Sequence, residues 1–66
     1  MQLTVNGQTQ DLPEGLTMAD LLERLALHPQ RVAVERNRQL LPRAQYADTV
    51  LADQDVLEIV TLVGGG

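Results

Sequence analysis

Val56-Leu57-Glu58-Ile59-Val60-Thr61-Leu62, followed by Val63 and then Gly64-Gly65-Gly66, is the stretch on which the fold turns. Its β-branched and aliphatic residues occupy both alternations of an extended chain. A strand apolar on both faces belongs in the interior of a sheet rather than at its edge. Glu58 is expected to face water. Strand parity then puts Val60 and Leu62 on that same outer face and sends Leu57 and Ile59 into the core. Two aliphatic side chains on the outer face, next to the glycines, make a candidate partner-binding patch. The chain's own segment 42–51 could instead cover that face.

Working back from this strand, Asp53-Gln54-Asp55 reads as a turn. Residues 43–51 are irregular, with one helical turn expected around Tyr46. Gln39-Leu40-Leu41 is a short strand ended by Pro42, and Asn37 is a turn residue that follows the strand Val32-Ala33-Val34-Glu35. A helix precedes these strands. Thr17 is its N-cap, Asp20 reaches back as in a capping box, and Leu16 and Leu21 are placed as a hydrophobic staple. Leu21, Leu22 and Leu25 form its core stripe, while Glu23 and Arg24 face water. His28-Pro29 is expected to stop it, because a residue before proline is driven out of the helical region. At the start of the chain, Met1, Leu3 and Val5 alternate with Gln2, Thr4 and Asn6, which is the period of a half-buried strand. Asn6-Gly7 then gives a strong hairpin signal, and residues 8–12 form the return strand up to Pro13-Glu14-Gly15.

The order is hairpin, helix, two short strands, then a central strand parallel to the first. This describes an α+β domain of the ubiquitin-like β-grasp type, a mixed sheet of four or five strands packed on one helix. Residues 1–63 are expected to form the domain and residues 64–66 a flexible, reactive tail.

At 66 residues with no cysteine, the chain has neither disulfides nor a Cys/His metal set to reinforce a thin core. Its hydrophobic fraction of 44% with 21% charged residues is that of a globular domain. The net charge is −4 and lysine is absent, which argues against nucleic-acid binding and toward a basic or apolar partner surface. No apolar run approaches a membrane span and no signal-peptide pattern opens the sequence, so a cytoplasmic protein is expected.

The glycines carry the chemistry. A chain end without side chains fits a narrow channel, and three extended residues reach about 10 Å. A terminal carboxylate is a poor electrophile until ATP converts it to an acyl-adenylate inside another protein. Gly66 is therefore the expected site of adenylation, with Gly64 and Gly65 as channel-binding residues. An unconstrained end or an appended sequence would also be glycine-tolerant, so the tail alone leaves those readings open.

Val32-Ala33-Val34-Glu35-Arg36-Asn37, Leu41-Pro42-Arg43, the run from Leu51 to Val60 and Val63-Gly64-Gly65-Gly66, in this order and spacing, resemble the ThiS-type sulfur carrier proteins of thiamine biosynthesis. The resemblance spans essentially the whole chain. It implies a carrier, not an enzyme. A ThiF-type adenylyltransferase would adenylate Gly66 with ATP as that enzyme's substrate, and a sulfur-donating protein would convert Gly66 to a thiocarboxylate. Thiazole synthase would then take the sulfur. A carrier that feeds its end into two enzymes in turn is expected to be a monomer, and no resident cofactor is expected. A molybdopterin-synthase small-subunit-like carrier, a protein-conjugating modifier and an inert β-grasp interaction module are the alternatives. One departure is visible: the family has Asp-Gly-Asp where this chain has Asp53-Gln54-Asp55. If the turn keeps its positive φ, Gln54 costs about 1 kcal/mol.

Other polar residues offer less. Asp48, Asp53, Asp55 and Glu58 could meet a basic partner but read more simply as solvated acids. His28 reads as a surface residue and Tyr46 as packing. Arg43 could cap a turn. No Ser/His/Asp or Cys/His set exists.

Overall fold

The alternation at the start of the chain and the Asn6-Gly7 signal produce the first hairpin. In the computed structural model, which describes residues 1–63, β1 (Gln2–Val5) pairs antiparallel with β2 (Gln8–Asp11). Only two residues join them, Asn6 at φ 51° and Gly7 at φ 81°. Positive φ at both positions is the type I′ geometry that matches strand twist.

The helix α1 (Met18–Arg24) begins as its cap dictates. Asp20 N–H donates to Thr17 Oγ1 at 3.1 Å, and Thr17 N–H donates to Asp20 Oδ2 at 3.0 Å. The helix ends earlier than the sequence suggests. His28-Pro29 does not stop it; the chain has already turned at Ala26, which sits at φ 58°. Ala26 N–H donates to Glu23 C=O at 3.0 Å and Leu27 N–H to Leu22 C=O at 2.9 Å. This pair of bonds is a Schellman motif, usually built on glycine. The motif satisfies the last carbonyls with Ala26 in the left-handed region. His28 then caps the short 3-10 turn Pro29–Arg31, its Nδ1 accepting from Gln30 N–H.

β3 (Val32–Arg36) and β4 (Gln39–Leu41) form a second two-residue hairpin through Asn37 at φ 52° and Arg38 at φ 70°. A 3-10 turn at Arg43–Gln45 follows. Segment 42–51 then runs beside the helix. Tyr46 C=O accepts from Ala19 N–H and Thr49 C=O from Met18 N–H, and Leu51 N–H donates to Leu16 C=O. The segment therefore closes the helix side of the core and leaves the outer face of β5 (Val56–Thr61) open.

The sheet order is β2-β1-β5-β3-β4, with β5 central, parallel to β1 and antiparallel to β3. The core lies between the helix and one sheet face. Leu3, Met18, Leu21, Leu22, Val34 and Leu57 are fully buried, with Val32, Tyr46, Leu51 and Ile59 packed around them. This is the expected β-grasp architecture. The tail assigned to residues 64–66 lies outside the described residues.

Candidate functional site

β5 is held on both flanks until just before its end. Toward β3 the register runs from Arg36↔Leu57 to Val32↔Thr61, and Leu62 N–H donates to Arg31 C=O at 2.8 Å. Toward β1 only Thr4↔Val56 and Val5↔Leu57 pair, because β1 turns at Asn6. The Asn6 side chain then extends the ladder. Its Oδ1 accepts from Ile59 N–H at 2.7 Å and its Nδ2 donates to Ile59 C=O at 3.0 Å. One amide side chain thus does what a further residue of β1 would do.

Parity along β5 places Leu57 and Ile59 in the core and Val60 and Leu62 at the surface, 56% and 46% exposed. Val63, next to the glycines, is 99% exposed. Leu40, at 71%, joins them from β4. Ala33 stands opposite Val60, and Glu35 stands opposite both Glu58 and Leu40. Ala33, Glu35, Leu40, Glu58 and Val60 line a shallow hollow of about 90 Å³ on the outer face. A second hollow of about 190 Å³ brings Leu62 together with Leu40, Pro42, Arg43 and Tyr46 at the end of the sheet. The site is therefore an aliphatic surface with an acidic border, leading to the chain end. Two carboxylates placed directly across a strand pair repel each other, and this pair lies on the face that a basic partner would relieve.

Leu40 and Glu35 were not singled out from the sequence. Asn37 carried the signal that could have found them. A two-residue turn at positions 37–38 fixes Glu35 opposite Leu40 and so puts Leu40 on the outer face.

The acids divide differently from the sequence reading. Asp48 and Glu58 are exposed, but Asp55 is not a solvated turn acid; it is 6% exposed. Its Oδ2 accepts from Arg36 Nε at 2.8 Å and Ala52 N–H at 2.9 Å, and its Oδ1 from Asn37 Nδ2 at 3.0 Å. Asn37 Oδ1 in turn accepts from Val56 N–H at 2.9 Å. Burial alone would raise the Asp55 pKa. The Ala52, Asn37 and Arg36 donors outweigh it and hold the pKa below the ordinary 3.8. Asp53 is also lowered, chiefly by the Gln2 N–H bonded to its Oδ1. Both acids are thus committed to fixing the start of β5. Arg43 has a comparable task, with Nε donating to Pro29 C=O at 2.9 Å, which ties the exit of β4 to the entrance of β3. Gln54 does adopt φ 72°, the conformation that glycine would take more easily.

A broader apolar hollow of about 480 Å³ lies between Ala19, Glu23, Ala26, Leu27, His28 and Pro29. No residue of β5 lines it. Among the described residues no cluster of three His, Cys, Asp or Glu side chains could hold a metal ion, and no helix is long and apolar enough to cross a membrane.

The whole chain is similar to known proteins. The ThiS family model matches residues 2–66. The chain is 32% identical over 66 residues to the sulfur carrier protein ThiS of Escherichia coli, covering all of both. It is 39% identical over 66 residues to a thiazole synthase of Paramagnetospirillum magneticum, but spans only 20% of that protein. A thiazole synthase of Magnetococcus marinus is matched over the same 20% share. Among solved structures, a thiamine biosynthesis protein (ThiS) from Geobacter metallireducens superposes with a TM-score of 0.86 at 35% identity, with both chains fully covered.

Proposed function

The chain belongs to the ThiS family of small sulfur carriers of thiamine biosynthesis, and from that premise we propose that its own sulfur is carried as a thiocarboxylate on Gly66 and donated for thiazole formation. One observation carries the reading. The central strand, fixed on both flanks by Arg31 and Asn6, carries the exposed aliphatic side chains of Val60 and Leu62 just ahead of a sequence of three glycines.

The roles follow from the chemistry. A Gly66 carboxylate oxygen attacks the α-phosphorus of ATP within a ThiF-type adenylyltransferase; pyrophosphate leaves and an acyl-adenylate forms. The terminal sulfur of a persulfide on the sulfur-donating protein attacks the acyl carbon and AMP leaves. A second thiol cleaves the resulting acyl disulfide and releases the thiocarboxylate. The chain has no cysteine, so it offers no thiol to compete for the sulfur. Gly64 and Gly65 need no channel width beyond the backbone. Val60 and Leu62, with Leu40, form the docking surface, and Glu35 and Glu58 meet basic groups on the partner. Thiazole synthase is the proposed acceptor, which the matches to thiazole synthase chains support.

The protein acts as a co-substrate and contributes positioning rather than acid–base groups. Deleting Gly66 tests this. With the cognate adenylyltransferase and ATP, the intact chain should release pyrophosphate and the deleted chain should not, at unchanged melting temperature. Equal release from both chains rules out Gly66 as the reacting residue.

A further inference from the structure

The parity of backbone groups along β5 leaves one edge open. In the antiparallel pairing with β3, Leu62 N–H bonds Arg31 C=O, so residues 58, 60 and 62 direct their backbone groups toward β3. Residues 57, 59 and 61 direct theirs the other way, toward β1. Leu57 C=O accepts from Asn6 N–H at 2.9 Å, and both groups of Ile59 are taken by the Asn6 side chain. Thr61 comes next. Its N–H and C=O face the space where β1 would continue, but the chain has already turned at Asn6-Gly7. Among the described residues neither group has a hydrogen-bond partner, and Thr61 is exposed. By the same alternation the N–H of Val63 follows on that side.

A central strand has thus become an edge strand over its last residues, immediately before the glycines. Unpaired strand edges are templates for an added strand. From this geometry we infer that an extended segment of the activating adenylyltransferase pairs with Thr61 and Val63 in the place β1 vacates, and so holds the chain end extended as it enters the enzyme. The inference rests on the carrier reading above and adds to it the mode of recognition. Main-chain pairing sets the direction of the tail, while Val60, Leu62 and Leu40 supply contact area. A second copy of this chain is a poorer occupant. Each copy offers an edge only about two residues long, and two chains of net charge −4 repel.

Residue-resolved amide hydrogen exchange tests the inference on the wild-type chain. Free in solution, Thr61 should exchange quickly while its neighbours Val60 and Leu62, bonded to β3, are protected. With saturating cognate adenylyltransferase, Thr61 exchange should slow by at least tenfold. Thr61→Pro removes the N–H without touching a bond to β3, and proline is tolerated where the strand amide faces outward. It should weaken binding about threefold to tenfold, the worth of one hydrogen bond, whereas Thr61→Val should not. Intact mass recorded on the same samples separates the two levels. If the chain binds and takes up sulfur while Thr61 still exchanges freely, the strand-addition inference is overturned and the carrier reading stands. If the enzyme neither binds nor loads the chain, both fall. Concentration-dependent protection of Thr61 in the protein alone would assign the edge to self-association and overturn the partner assignment.

Discussion

Replacing Asp55 with alanine should remove a large share of the fold's stability, although the residue lies in a turn. The Asp55 carboxylate accepts three hydrogen bonds, from Arg36, Ala52 and Asn37, and is 6% exposed. Truncation leaves a guanidinium, an amide and a backbone N–H without their acceptor. Bonds to a charged group contribute about 1.5–3 kcal/mol each, and breaking a buried pair costs about 3–5 kcal/mol in total. Arg36 keeps a side-chain exposure of 30%, which favours the lower end, ~3 kcal/mol. A domain of this size has only about 3–10 kcal/mol to lose. With a urea slope of roughly 1 kcal/mol/M, the midpoint should fall by about 3 M. Far-UV circular dichroism reads the transition; tryptophan fluorescence cannot, because the chain has none. Asp55→Asn should fall between, since it keeps one acceptor oxygen but turns an NH₂ toward donors. A double-mutant cycle with Arg36→Met isolates the ion pair and should give a coupling of about 1 kcal/mol or more. A loss below about 1 kcal/mol for Asp55→Ala, or no coupling, refutes this role for the Asp55 carboxylate. The pH dependence has the same origin. The folded pKa of Asp55 lies below its unfolded value, so its contribution is complete above the unfolded pKa near 3.8 and is lost as pH falls through the folded one. Wild-type stability should therefore hold at neutral pH and erode below about pH 4, with a shallower slope in Asp55→Ala.

Three further outcomes are expected. Arg38→Gly and Gln54→Gly relieve positive φ values of 70° and 72°, and each should stabilise the fold by about 0.5–1 kcal/mol, or a few degrees in a calorimetric melt. Glu35→Gln removes the repulsion with Glu58 across the strand pair; it should add a few tenths of a kcal/mol at low salt, nothing at about 1 M salt, and weaken association with the adenylyltransferase in a titration. Val60→Asp, on a surface 56% exposed, should change stability by no more than about 1 kcal/mol yet reduce enzyme affinity tenfold or more by calorimetry.

Much of the architecture was legible because local signals agreed. Asn6-Gly7 specified a type I′ hairpin, Thr17 with Asp20 specified the helix start, and the two-sided apolarity of residues 56–62 specified a central strand. The same parity gave the outer face carrying Val60 and Leu62. What escaped the sequence depended on residues adopting conformations against their preference, or on partners distant in the chain. Nothing local marks Ala26 as a left-handed C-cap; tertiary packing of Leu27 against the core carries it there. Asp55 looks like any turn acid until Arg36 and Asn37, 19 and 18 positions away, converge on it. The open edge at Thr61 needs both hydrogen-bond parity and the point where β1 turns, and neither is a property of residues 56–62 alone.

Whether Gly66 carries the sulfur is decided by the intact mass of the protein after incubation with ATP, its adenylyltransferase and a persulfide donor. A gain equal to the exchange of one oxygen for one sulfur is expected, located by fragmentation at Gly66. An unchanged mass with enzymes proven active on another carrier, or a sulfur located elsewhere in the chain, contradicts it.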